Sequence, residues 1–213
     1  MKFDLYEYIG VIVPGAIVLL AASLLYPSVL PTLTSSLSLG DLGLVLILAF
    51  VAGHLVQAGG NLWESIVWGI SGGMPTCWVA DPKKKLLSQE QLTRLDARLT
   101  KEFECKRSSL KSGRGPMREI FVRVRKLGKP DRIDKFNRNY GLMRGVAVSF
   151  LASALMVLVH DVDQWKGALL LVALAGISTF RMVRFGIHYA REIYAEYLSL
   201  DIASTKTKSK PKT

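Results

Sequence analysis

Residues 42–61 read LGLVLILAFVAGHLVQAGGN, twenty positions without a single Asp, Glu, Lys or Arg. At 1.5 Å per residue such a helix is about 30 Å long, the thickness of the hydrocarbon core of a bilayer. A helix on the surface of a soluble core would meet water on one side and carry charges there. The stretch therefore predicts a transmembrane span, and the rest of the chain repeats its pattern. Residues 8–26, YIGVIVPGAIVLLAASLLY, form an earlier uncharged run bracketed by tyrosines, as expected for side chains that settle at the headgroup layers. This run is weakly charged on its N-terminal side and is followed by further spans, so it reads as a retained helix rather than a cleaved signal. Pro14 lies inside it and predicts a kink near Val13, because proline removes a backbone donor.

Two more spans follow at residues 140–159 and 165–183. The third takes in Arg144 one turn from its start, where a long side chain can snorkel to the headgroups. The fourth is the shortest, with 14 uncharged residues between Lys166 and Arg181. Asp41 stands before the second span, at the positive end of its helix dipole, and Trp63 and Trp68 follow that span as an aromatic belt. The polar link PSVLPTLTSSLSLGD, residues 27–41, joins the first two spans.

The expected class is thus all-α: a polytopic membrane protein of four transmembrane helices, with a helical cytosolic domain between spans two and three. The expected divisions are residues 1–61 (spans one and two), 62–139 (a basic helical cytosolic domain), 140–183 (spans three and four) and 184–213 (a cytosolic helix and a disordered basic tail). Four spans place both termini on one side. The chain holds 28 Lys and Arg against 17 Asp and Glu, and in this threading only Lys166 approaches the opposite face. Cations close to the span ends set orientation. Arg123, Arg125, Lys126, Lys129, Arg132, Lys135 and Arg138 before span three, with Arg181, Arg184 and Arg191 after span four, outvote Lys166. Both termini and the large loop should face the cytoplasm, and the location expected is a bacterial inner membrane. Cys77 and Cys105 then lie in a reducing compartment as free thiols.

Within the loop, residues 62–80 hold three tryptophans and no cation, which suits an interfacial helix followed by a turn at SGGMP. Ser88 and Gln91 make a capping box, and Leu92, Leu95, Leu99 and Phe103 recur at helical spacing, predicting an amphipathic helix over 88–110. SGRGP, residues 112–116, is glycine-rich, but it lacks the length and the Lys-Ser/Thr of a phosphate loop and reads as a surface turn. REIFVRVRKL, residues 118–127, fits either period; with no partner strand in view, helix is preferred. Lys129-Pro130-Asp131 then starts a new helix that should run unbroken into span three. After span four, Phe185, Tyr189, Ile193 and Leu200 should form one helix face, and KTKSKPKT closes the chain as a disordered basic tail.

The motifs that bear on chemistry are few. His54, Gln57, Asn61 and Glu64, spaced three, four and three, share one face of the second span. Polar groups at that depth must face protein or a water-filled cavity. One reading is a pore lining, proton path or ligand site containing histidine, the residue type whose charge changes near neutral pH. The other is interhelical hydrogen bonding for assembly, worth about 0.6–2 kcal/mol per contact. A metal site lacks a second His or Cys at ligand spacing. Gly141, Gly145, Ser149 and Ser153 recur every fourth residue and form a helix-packing seam. His160, Asp161 and Asp163 crowd the outer turn, as a cation site or simply as an exposed hairpin. No nucleophile elbow, zinc motif, paired intramembrane carboxylates or dinucleotide fingerprint is present, so neither catalytic residues nor cofactors are expected.

Basic residues interleaved with aromatics over 83–138 and 181–212 could follow phosphates. A cationic surface beside anionic lipid, at about 1 kcal/mol per cation near the surface, is the preferred account of them, and nucleic acid is not the expected partner. The function expected is non-enzymatic: an inner-membrane protein that self-assembles as a homo-oligomer and docks a soluble cytosolic partner, as an anchor, sensor or effector in bacterial stress or phage (antiviral) defence. The alternative is an oligomeric channel, pore or small transporter using the His54/Gln57/Asn61 seam. Threading is directly testable. In intact cells a cysteine at Ser36 should react with a membrane-impermeant thiol reagent and one at Ser112 should not; labelling at Ser112 would reverse the orientation.

Overall fold

The computed structural model describes residues 5–28, 39–112 and 115–200. Every regular element among them is helical: α1 (Leu5–Leu25), α2 (Leu39–Ile70), α3 (Gln89–Phe103), α4 (Pro116–Leu127), α5 (Asp131–His160) and α6 (Trp165–Ser199), with short 3₁₀ turns at Pro75–Ala80, Arg107–Ser112 and Val162–Gln164. Four of them, α1, α2, α5 and α6, are long and apolar enough to cross a membrane. Most of the link over 27–41, the Gly113-Arg114 pair in SGRGP, and the C-terminal basic tail lie outside the described residues.

The chain divides into two compact units. One comprises Met1–Gly72 and Asn137–Phe185, the other Gly73–Phe136 and Gly186–Thr213. In the first unit α1 and α2 meet through paired glycines. A Cβ on Gly15 would strike Ala49 O and Gly53 N, and one on Gly53 would strike Val11 O and Val11 Cγ1. Two backbones can come this close only where both side chains are missing. Between apolar helices in lipid, such packing is a main source of association.

The second unit is built as a water-soluble domain is built. α3 buries Leu95 and Leu99, α4 buries Met117, Ile120 and Val124, and Ile133 with Ala190, Ile193, Tyr194 and Tyr197 completes one apolar cluster. At about 1.5–3 kcal/mol per fully buried large side chain, this cluster is the main source of the unit's stability. Ser88 caps α3: its Oγ accepts from Gln91 N at 3.2 Å, and Gln91 Oε1 accepts from Ser88 N at 3.0 Å. Glu102 is the polar centre of the unit. It accepts from Arg123 Nη1 and from Tyr197 Oη, both at 2.7 Å, and pairs with Arg98 Nε at 3.3 Å. Arg98 in turn donates to the carbonyls of Tyr197 and Leu200, satisfying acceptors left open where α6 ends.

Several boundaries differ from the sequence expectation. α2 does not stop near residue 61. No breaker occurs before Gly72 and Gly73, whose φ of 80° and 93° only glycine adopts freely, so the helix continues to Ile70. What was expected to be one interfacial helix over 62–80 is therefore the last turns of α2 plus a 3₁₀ turn. The helix expected over 88–110 ends at Phe103, because Glu104 adopts a left-handed conformation (φ 50°) and the chain restarts as the 3₁₀ turn Arg107–Ser112. Residues 118–127 are helical, α5 is unbroken from Asp131, and α1 continues past Pro14 as one helix. On α6, Ile193 is buried and Tyr189 and Leu200 pack beside the cluster. The deepest residues, however, are Ala190, Tyr194 and Tyr197, one position round from the face read in sequence.

Burial pushes the phenols of Tyr194 and Tyr197 well above their usual range, and in Tyr197 the neighbouring Glu102 carboxylate adds to the effect. A raised folded-state value means the folded form holds its proton while the unfolded phenol, at about 10, releases it. Stability from these groups is complete below about pH 10 and is lost as pH rises through and beyond that value. Denaturant unfolding of the whole chain in detergent should show a steep decline between pH 9 and 12, shallower in Tyr194→Phe/Tyr197→Phe. Equal slopes in the two proteins would contradict the assignment.

Candidate functional site

The first unit holds a polar network that starts with a missing donor. Pro14 has no N–H, so the Gly10 carbonyl one turn earlier in α1 loses its helical partner. Gln57 of α2 supplies the replacement, its Nε2 donating to Gly10 O at 2.9 Å. The other end of the same amide accepts from Arg144 Nη2 of α5 at 3.0 Å. Arg144 Nη1 is paired with the Glu64 carboxylate, which lies about two turns further along α2 than Gln57 and on the same face. The Pro14 carbonyl is also used, accepting from Ser149 Oγ of α5 at 2.8 Å. One amide and one ion pair thus connect α1, α2 and α5.

Glycine makes room for the arginine. A Cβ on Gly60 would come within 3.2 Å of Arg144 Nε, and one on Gly145 would press on Pro14 Cγ at 2.7 Å and Gln57 Nε2 at 2.9 Å. Beside the ion pair, Trp68 donates from Nε1 to Tyr140 Oη at 2.7 Å, with the two rings stacked at 6.3 Å. Trp63 donates to Thr179 Oγ1 of α6 at 3.1 Å. These tryptophans hold helix partners, and Trp68 is buried, so the aromatic-belt reading does not apply to it.

The four-residue seam divides. Gln57 and Glu64 turn towards α5 and are engaged, whereas His54 and Asn61 are exposed. His54 touches Phe50 edge-on at 4.6 Å, and its ring nitrogens make no hydrogen bond to a described residue. Arg144 was expected to snorkel; it pairs inward because Glu64 reaches the same level. The small-residue seam also divides. Gly145 and Ser149 face α1, Ser153 is buried with its hydroxyl unpartnered, and nothing lies within 4 Å of a Cβ on Gly141. At the turn between α5 and α6 Asp161 caps the 3₁₀ turn, accepting from Asp163 N at 3.0 Å and Gln164 Nε2 at 3.1 Å, while His160 lies edge-on to Tyr26 at 5.1 Å. Among the described residues no three His, Cys, Asp or Glu side chains gather as metal ligands. Cys77 and Cys105 are free and half-buried.

The basic surface named from sequence is partly consumed in internal contacts. Arg123 pairs with Glu102, Arg125 with Asp134 at 3.2 Å, Arg132 with Glu192 at 2.9 Å, and Arg191 donates to Leu86 O at 3.1 Å. Arg181 and Arg184 lie over Phe185 and Phe180; Arg138 also has an interaction of its own. Lys126, Lys129 and Lys135 remain exposed without an ion pair among the described residues, as do Lys101, Lys106, Lys111 and Arg118, which the sequence did not single out. The pairing of Arg144 with Glu64 and the Trp68–Tyr140 hydrogen bond were missed too. The available signal was charge complementarity: Glu64 follows the end of the second apolar segment and Arg144 stands near the start of the third.

No protein-family model matches the chain, and no curated protein or solved structure is significantly similar to it.

The ion pair is largely withdrawn from solvent, with Arg144 and Glu64 side chains 19% and 21% exposed. Removing one partner strands the other, so Arg144→Leu or Glu64→Leu alone should each cost about 3–5 kcal/mol, while the double variant should recover most of that loss. Thermal unfolding in detergent measures this. A double variant as unstable as the sum of the singles would show that the pair is not coupled.

Proposed function

We propose that this chain is a non-enzymatic, multi-pass membrane protein that self-assembles in a plasma membrane and uses its second, cationic unit on the cytoplasmic side to dock a soluble partner with an acidic face. In this reading it is an anchor, sensor or effector, and antiviral or stress defence in a bacterial inner membrane is one setting that suits it.

The observation that carries the reading is how charge is partitioned. The first unit contains six Lys and Arg and six Asp and Glu; the second contains the other 22 cations and 11 acids. The whole net charge of +11 therefore belongs to the second unit, and the unit containing most of the apolar helix is neutral. Cation excess marks the inner side of a membrane protein, and anionic lipid there attracts such a surface. Lipid attraction alone needs no folded domain. The second unit, however, has its own core, and Lys101, Lys106, Lys111, Arg118, Lys126 and Lys135 are held on its surface without ion pairs to any described residue. A rigid array of unpaired cations suits a rigid anionic partner, whose encounter it would steer.

The test is co-purification of the full chain from native membranes, beside Lys101→Glu/Arg118→Glu/Lys126→Glu. The wild type should bring a stoichiometric soluble protein that is released near 1 M salt, where screening acts within about 3 Å. The variant should insert normally and lose it. Retention of the partner by the variant, or no partner with the wild type, would overturn docking.

A further inference from the structure

We infer that the outward face of α2 carrying His54, Ala58 and Asn61 is the surface through which one copy of this chain binds a second copy. The inference rests on the membrane reading above and assigns its self-assembly to named residues. Gln57 and Glu64 cannot serve, since both are already bonded within the chain. His54, Ala58 and Asn61 follow one another at spacings of four and three, lie on one stripe of α2, and are exposed. Nothing in the described chain accepts from or donates to the side chains of His54 or Asn61.

Depth makes this arrangement costly for a single copy. His54 is ten residues from Glu64, about 15 Å along the helix axis and therefore about halfway across the hydrocarbon layer if the Arg144–Glu64 pair marks its inner edge. Lipid tails offer an imidazole neither donor nor acceptor. A second copy offers both. Two copies inserted in the same direction hold equivalent residues at equal depth, so around a two-fold axis along the membrane normal His54 meets the partner's own counterpart and Asn61 does likewise. A neutral imidazole and a carboxamide each carry a donor and an acceptor, so each can pair with itself. Ala58, between them, is small enough for two helices to approach. A different membrane protein would need a complementary pair at the same two depths, whereas a second copy has it by construction.

The experiment uses the full chain with Cys77→Ser and Cys105→Ser. Ala58→Cys is placed in this background, and for comparison Leu169→Cys, which lies on an exposed face of α6. Mild oxidation in membranes should cross-link Ala58→Cys into a dimer and leave Leu169→Cys monomeric. His54→Leu/Asn61→Leu, which retains Gln57 and inserts at least as readily, should weaken self-association about tenfold by native mass spectrometry. Cross-links to a different protein, equal cross-linking at both positions, or unchanged association of the double variant would each overturn the inference. Alkaline carbonate extraction is run alongside. A chain that washes off the membrane sinks the membrane reading and this one with it, whereas an integral but monomeric chain sinks only this one.

Discussion

An arginine set among apolar side chains has to be met by an acid or left at great cost, and Arg144 of α5 is met by Glu64 of α2. The consequence reaches further than two residues. The same guanidinium also holds Gln57, and Gln57 holds the Gly10 carbonyl that Pro14 deprives of a donor. The proline that would otherwise leave an open acceptor in α1 becomes the reason α1 is attached to α2 and α5. Glycines at 15, 53, 60 and 145 then follow as space requirements, since each removes a side chain where a backbone or a network member passes.

The second unit reaches stability by the opposite route. It has an apolar cluster of ordinary soluble type, and its charges are sorted by depth. Those near the core are neutralised in pairs around Glu102, with Arg98 also holding the helix-end carbonyls of Tyr197 and Leu200. Of the exposed cations named above as lacking an ion pair among the described residues, all but Arg118 are lysines. Arginine's planar fork suits internal bidentate bonding, whereas lysine's hydrated ammonium is cheapest in water.

The polar seam on α2 is itself divided. The inward members, Gln57 and Glu64, are bonded to Arg144, and the outward members, His54 and Asn61, are exposed.

The sequence by itself determined the composition of the helices and their places: uncharged runs of bilayer length, a capping box at Ser88, a fresh start at Pro130, and a concentration of cations between the second and third apolar segments. These are local or periodic properties, and a 3.6-residue period or a charge count needs no tertiary information. It also placed His54, Gln57, Asn61 and Glu64 on one side of α2. Tertiary structure decided which of them are spent, because a face of a helix is wide enough to touch a neighbour with one edge and be exposed along the other. It decided that Arg144 pairs inward, since its partner is 80 residues away in the chain. It moved the buried face of α6 round to Ala190, Tyr194 and Tyr197, because α3 and α4 set the direction of the core. And it bonded Trp68 of α2 to Tyr140 of α5, a contact no periodicity within α2 contains.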